Sequence, residues 1–126
     1  MPSAQTAAME NLIATLFLAR ELAHREHLRT RSYAQHMALG AFYEGIVERA
    51  DAIAEAYQGR FGLLGEIPML VNTVSGTIAD VLQSHVDWIS TNRYQAADPA
   101  ETAIQNLIDE AVSLYQATIY KLRFLG

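Results

Sequence analysis

Cysteine is absent from this 126-residue chain, and that absence removes disulfides, thiolate nucleophiles and zinc fingers together. Any bound metal would have to be held by His, Asp or Glu. Long apolar runs are also missing: none approaches the roughly eighteen residues of a membrane span, and the start MPSAQTAAMEN lacks the basic end and apolar centre of a signal peptide. A soluble, cytoplasmic protein without a membrane partner is the expectation. Positive charge is scarce, with a net charge of −5 and no lysine or arginine before Arg20. Nucleic-acid binding rests on neutralising phosphate, so no nucleic-acid partner is expected. There is no serine-centred nucleophile elbow, and 59-GRFGLLG-65 does not match a phosphate-binding loop, which leaves a hydrolase without machinery.

What is present is a normal globular balance, 51% hydrophobic and 18% charged, with no low-complexity tract or internal repeat. The length fits one domain spanning residues 1–126. Apolar residues at three-and-four spacing predict a first helix from about Ala4 to Leu28. Ser32 and Gln35 form the pattern of a capping box, which opens a second helix running to about Gln58. Gly59, Gly62, Gly65 and Pro68 then interrupt the helical pattern, and 71-VNTVSGT-77 is β-branched, so 59–76 reads as an extended connection. A third helix is predicted from about Thr77 to Asn92. In 98-DPAE-101, Asp98 as cap and Pro99 at the first helical position predict the start of a fourth, ending near Phe124.

Four helices that each bury one face make an all-α four-helix bundle. Short first and last connections make the helices they join antiparallel. The 59–76 link is long enough, at about 3.3 Å per residue, to cross the whole bundle. The second and third helices are therefore predicted to run parallel, the ferritin-like arrangement with a long crossover between them.

Chemistry concentrates on the second helix. Glu44, Glu48, Asp51 and Glu55 fall within about 60° of arc on a helical wheel, and His36 lies beside them on the apolar face. His24 and His27 lie on the apolar face of the first helix, and His85 on that of the third. A lone histidine in such a place is more often a hydrogen-bonded core residue than a ligand; four of four make the ligand reading comparably strong. Neutral imidazole with carboxylate is the ligand set for ferrous, manganese or zinc ions. For Glu44 and Glu48 an ordinary solvated edge is the stronger reading.

His24, His36, Asp51 and Glu55 stand twelve, fifteen and four residues apart, a spacing that resembles the metal-binding residues of Dps proteins, the ferritin-like miniferritins. The texts 51-DAIAE-55 and 98-DPAETAIQNLIDEAVSLYQATIYKLRFL-125 are similar to that family's Asp-x-x-x-Glu segment and last helix. The resemblance implies a homodimer or larger homo-oligomer that binds iron as Fe(II) and oxidises it, with a dinuclear site shared across a twofold axis. On that reading the metal ligands are His24 or His27 with His36 from one chain and Asp51 and Glu55 from its mate, with Glu48 as a further ligand. The segment 32-SYAQHMALGAFYEGIVERADAIAEAYQG-59 also resembles small helical proteins of tailed bacteriophages. It supports an alternative, a non-catalytic structural or interaction protein of the virion.

Overall fold

The computed structural model describes residues 3–72 and 75–126 and contains α1 (Ala4–Arg29), α2 (Tyr33–Phe61), α3 (Ile78–Ala96) and α4 (Thr102–Phe124). Three of the starts are capped by a hydroxyl: Ser3 accepts from the Thr6 amide, Ser32 from Gln35 and Thr77 from Asp80, each satisfying one of the orphan donors of a first turn. The box expected at Ser32 is only half made. Gln35 turns its Oε1 to the Thr30 hydroxyl instead of the Ser32 amide, which donates to Thr30 Oγ1 at 3.2 Å.

The fourth helix also begins later than its sequence suggests. Asp98 accepts from the Glu101 amide through its carbonyl and from the Ala100 amide through its side chain, so Pro99 occupies the second position of a β-turn. Glu101 follows at φ −78°, ψ 68°, with the Thr102 amide bonded to the Ala100 carbonyl. That is an inverse γ-turn. Arg60 at the end of α2 pairs with the Glu101 carboxylate at 2.9 Å and holds the turn there. With this tertiary ion pair in place the helix starts three residues later than predicted, its cap at Glu101 instead of Asp98 and its first residue at Thr102 instead of Pro99.

Directions follow from pairs at the helix ends. Gln5 and Thr6 reach the Tyr57 hydroxyl at 3.2 and 3.0 Å, so α1 and α2 are antiparallel. Arg60 at Glu101 and Phe42 against Tyr115 at 5.0 Å make α2 and α4 antiparallel. Arg93 at Asp109 and Asp80 at Arg123 do the same for α3 and α4. It follows that α2 and α3 run parallel. They lie on one diagonal of the bundle and α1 and α4 on the other, around a core that includes Leu12, Leu16, Phe42, Ile46, Ile53 and Leu82.

Parallel diagonal helices oblige their connection to travel the length of the bundle. Gly62 starts it at φ 107°, a conformation open to glycine but not to most residues. The Gly65 amide donates to Glu10 at 2.5 Å, near the start of α1. Residues 67–72 then lie along α1 between Ala14 and Arg25. Helix α2 runs through Gly59 to Phe61, three residues past the predicted break, and the described residues of the connection after it form neither helix nor strand, as its later glycines and β-branched residues suggest.

At the opposite turn, buried Gln105 closes the α3–α4 corner by donating to the Ala97 carbonyl at 2.8 Å and accepting from Arg93 Nε at 2.8 Å. Gln105→Leu keeps the side-chain volume and orphans both groups. The expected cost is about 2–4 kcal/mol, read as a lower urea midpoint at unchanged m-value; a loss below about 0.5 kcal/mol would show that the corner does not depend on this amide.

Candidate functional site

The short turn between α1 and α2 brings His27 and His36 face to face. Their rings stack with centroids 3.7 Å apart and planes 19° from parallel. His27 Nδ1 donates to the His36 carbonyl and His36 Nδ1 donates to the His27 carbonyl, both at 2.7 Å. A carbonyl can only accept, so both rings carry a proton on Nδ1. The His27 carbonyl lies in the last turn of α1, where no intrahelical amide remains to bond it. The imidazole of His36 thus closes the C-terminus of the preceding helix.

Gly40 makes room for the pair. A Cβ there would lie 3.1 Å from His27 Cε1 and 3.3 Å from Nδ1. Glycine inside a helix costs about 1 kcal/mol relative to alanine, and this close approach is its reason. His24 completes the cluster by stacking on Tyr43 at 4.3 Å, while Tyr43 presents its edge to His27 at 5.2 Å and lies under the Arg20 guanidinium at 5.7 Å. Tyr43, Arg20 and Gly40 were not singled out by sequence; the mid-helix glycine four residues after His36 was the available signal.

His24, His27 and His36 come together as half-buried side chains, whereas Glu44, Glu48, Asp51 and Glu55 are all exposed on α2. Among the described residues none of these four carboxylates forms an ion pair. Fifteen residues of helix separate His36 from Asp51, about 22 Å along the axis. One chain therefore does not join the two groups. Within the described residues, no three His, Asp or Glu side chains are placed to hold a metal ion.

His85 stands apart from the cluster, 6% exposed in the core, with Nδ1 3.3 Å from the Tyr115 hydroxyl. Burial lowers its pKa from 6.5 to about 4 and pushes the Tyr115 phenol upward. Both groups are uncharged near neutral pH.

Residues 27–122 match the model of a family of unknown function, DUF5856. No curated protein and no solved structure matches the chain.

Gly40→Ala has an outcome that depends on His27. In the His27→Ala background the new methyl meets no ring and gains about 0.5–1 kcal/mol of helix propensity; with His27 present the gain is expected to vanish or reverse. Urea denaturation of the four variants measures this coupling, and additive effects would contradict the packing described.

His85 gives a pH dependence of definite sign. Its folded pKa lies below the unfolded value, so the unfolded state binds the proton first. The stability of its neutral form is complete above pH 6.5 and is lost as pH falls toward 4, by on the order of 3 kcal/mol. The stability difference between wild type and His85→Phe should shrink across that window; a difference independent of pH would mean that His85 charges freely in the folded protein.

Proposed function

We propose a metal-binding function for this chain, which belongs to the DUF5856 family: it holds divalent metal at a site shared between two copies of itself. The observation that carries the reading is the protonation of the His27 and His36 pair. Histidines that ligate metals usually donate one ring nitrogen to a backbone carbonyl or carboxylate and bind through the other, and here both Nδ1 atoms are committed to carbonyls. In the neutral rings Nε2 keeps its lone pair. The exposed carboxylates of Asp51 and Glu55, one helical turn apart and free of ion pairs among the described residues, supply the complementary oxygen donors.

A twofold axis that pairs α2 with α2 of a second copy in antiparallel fashion brings the histidine end of one helix level with the carboxylate end of the other, giving two equivalent sites. His36 with His24 or His27 binds from one side, Asp51 and Glu55 from the other, and Glu48 stands one turn away. The parallel α2 and α3 and the long crossover support a ferritin-like assignment of the bundle. On that assignment ferrous iron is a substrate. Two ferrous ions each give up one electron and one peroxide takes both, becoming two waters with two added protons. Manganese and zinc suit the same donor set. The net charge of −5 speaks against nucleic acid as a partner, and no helix among the described residues is long and apolar enough to cross a membrane. The reading places the protein in the cytoplasm.

A second reading has its own support, because capping the end of α1 is a sufficient structural task for His36 and exposed carboxylates form an ordinary solvated edge. On that reading the bundle is a non-catalytic interaction protein, associated with a virion as the phage resemblance suggests.

His36→Asn separates the two. Its amide nitrogen reproduces Nδ1, so the bond to the His27 carbonyl persists while the Nε2 ligand is lost. The expected result is near-native stability with metal affinity lowered roughly 10–100-fold, measured by titration with zinc and, without oxygen, with ferrous iron. Mixing this chain with Asp51→Asn should restore one intact site per mixed dimer. If wild type binds neither metal, or if subunit exchange is confirmed and no site returns, the interaction-protein reading takes its place.

A further inference from the structure

A second site lies between α1, α3 and the crossover, independent of the metal reading. Asn11, Thr15, Ser84, His85 and Trp88 line a cavity of about 400 Å³. It joins, through Leu18, Leu70 and Asn72, a groove of about 800 Å³ whose walls include Phe17, Leu22, Ile67 and Met69. The two spaces are continuous and both mainly apolar, each within the size range of small-molecule sites.

His85 supplies this mainly apolar cavity with one hydrogen-bond donor. Tyr115 is completely buried, and the only partner of its hydroxyl among the described residues is His85 Nδ1. A buried hydroxyl that leaves its proton unbonded loses on the order of 1–3 kcal/mol, so the Tyr115 O–H donates and Nδ1 accepts. The ring proton is then on Nε2. Among the described residues Nε2 has no hydrogen-bond partner, yet it is not among the buried unpaired atoms, so it is open to the cavity that His85 lines. A side chain otherwise buried aims one N–H into the chamber.

We propose that this groove binds an amphiphile bearing an uncharged oxygen acceptor, its carbonyl or hydroxyl oxygen taking the hydrogen bond from His85 Nε2 and its apolar chain lying between α1 and residues 67–71. The neutral imidazole supplies no counter-charge for an anionic head. Arg25, at the far end of the trough, is paired with Glu21 at 2.9 Å, so the apolar end meets no free cation there.

1-Octanol is the probe, with n-octane as its headless control, titrated into isotopically labelled full-length protein. Saturable amide shifts at Leu18, Leu70 and Ser84 are expected, together with a shift of the His85 Nε2 resonance given by the alcohol alone and an affinity for the alcohol about tenfold above that for the alkane. Ser84 is exposed on the wall, so Ser84→Trp fills the chamber without entering the core and should abolish the shifts at unchanged helicity. His85→Phe should bind alcohol and alkane equally. Absence of saturable shifts, persistence of binding in Ser84→Trp, or equal affinity of wild type for the two probes would each overturn the proposal.

Discussion

The paired hydrogen bonds between His27 and His36 fix the register of the first two helices, and much of the bundle is built on that register. Helix ends leave carbonyls without partners, and a tight hairpin buries such an end against the next helix. Here each imidazole bonds the carbonyl of the residue that carries the other, so the two chains meet at one alignment. Thr6 lies twenty-one residues before His27 and Tyr57 twenty-one after His36, and these two meet through their hydroxyls at the far end. The same alignment holds over about 31 Å of antiparallel helix. Gly40 permits the approach, and its helix-propensity cost of about 1 kcal/mol is offset by the stacking it allows.

With α1 and α2 aligned, the remaining geometry leaves little choice. The sixteen residues between Phe61 and Ile78 have to carry the chain from one end of the bundle to the other, because α3 pairs antiparallel with both α1 and α4. A helix would advance only about 1.5 Å per residue against about 3.3 Å for extended chain. The connection is non-helical over its described residues for that reason, and Met69 and Val71 are each 95% exposed. It also does not cover the outer face of α1 completely. The groove beside Phe17 and the chamber at His85 are the spaces left between a thin strand of chain and two thick helices.

Helix existence, the non-helical connection and the parallel sense of α2 and α3 could be read from the chain because they rest on local periodicity, caps and reach. The start of α4 could not. Asp98 and Pro99 satisfy a helix cap and a β-turn equally well, and the choice is made by Arg60, forty-one residues from Glu101. Gln35 left its expected partner for a similar reason, since Thr30 across the turn offers its side chain a better-placed hydroxyl. For the candidate site, helical spacing was enough to put His24, His27 and His36 at one end of α2 and the carboxylates at the other. That His27 and His36 bond each other's backbone was hidden, because it depends on the turn bringing two carbonyls within reach of two rings.

The histidines show how one side chain acquires opposite chemistry from its surroundings. At the hairpin the partners of Nδ1 among the described residues are carbonyl oxygens, which accept, so Nδ1 carries a proton. In the core the partner of His85 is a buried phenol that must donate, so the proton is driven to Nε2 and the outward atom is an N–H. On the proposed readings, the first arrangement leaves Nε2 for a cation and the second offers an N–H to an oxygen acceptor. Burial reinforces the second, because desolvation lowers the His85 pKa to about 4 and the ring stays neutral wherever the protein is folded near neutral pH. Neither polarity is a property of histidine itself; each follows from what the backbone and the adjacent helix offer to Nδ1.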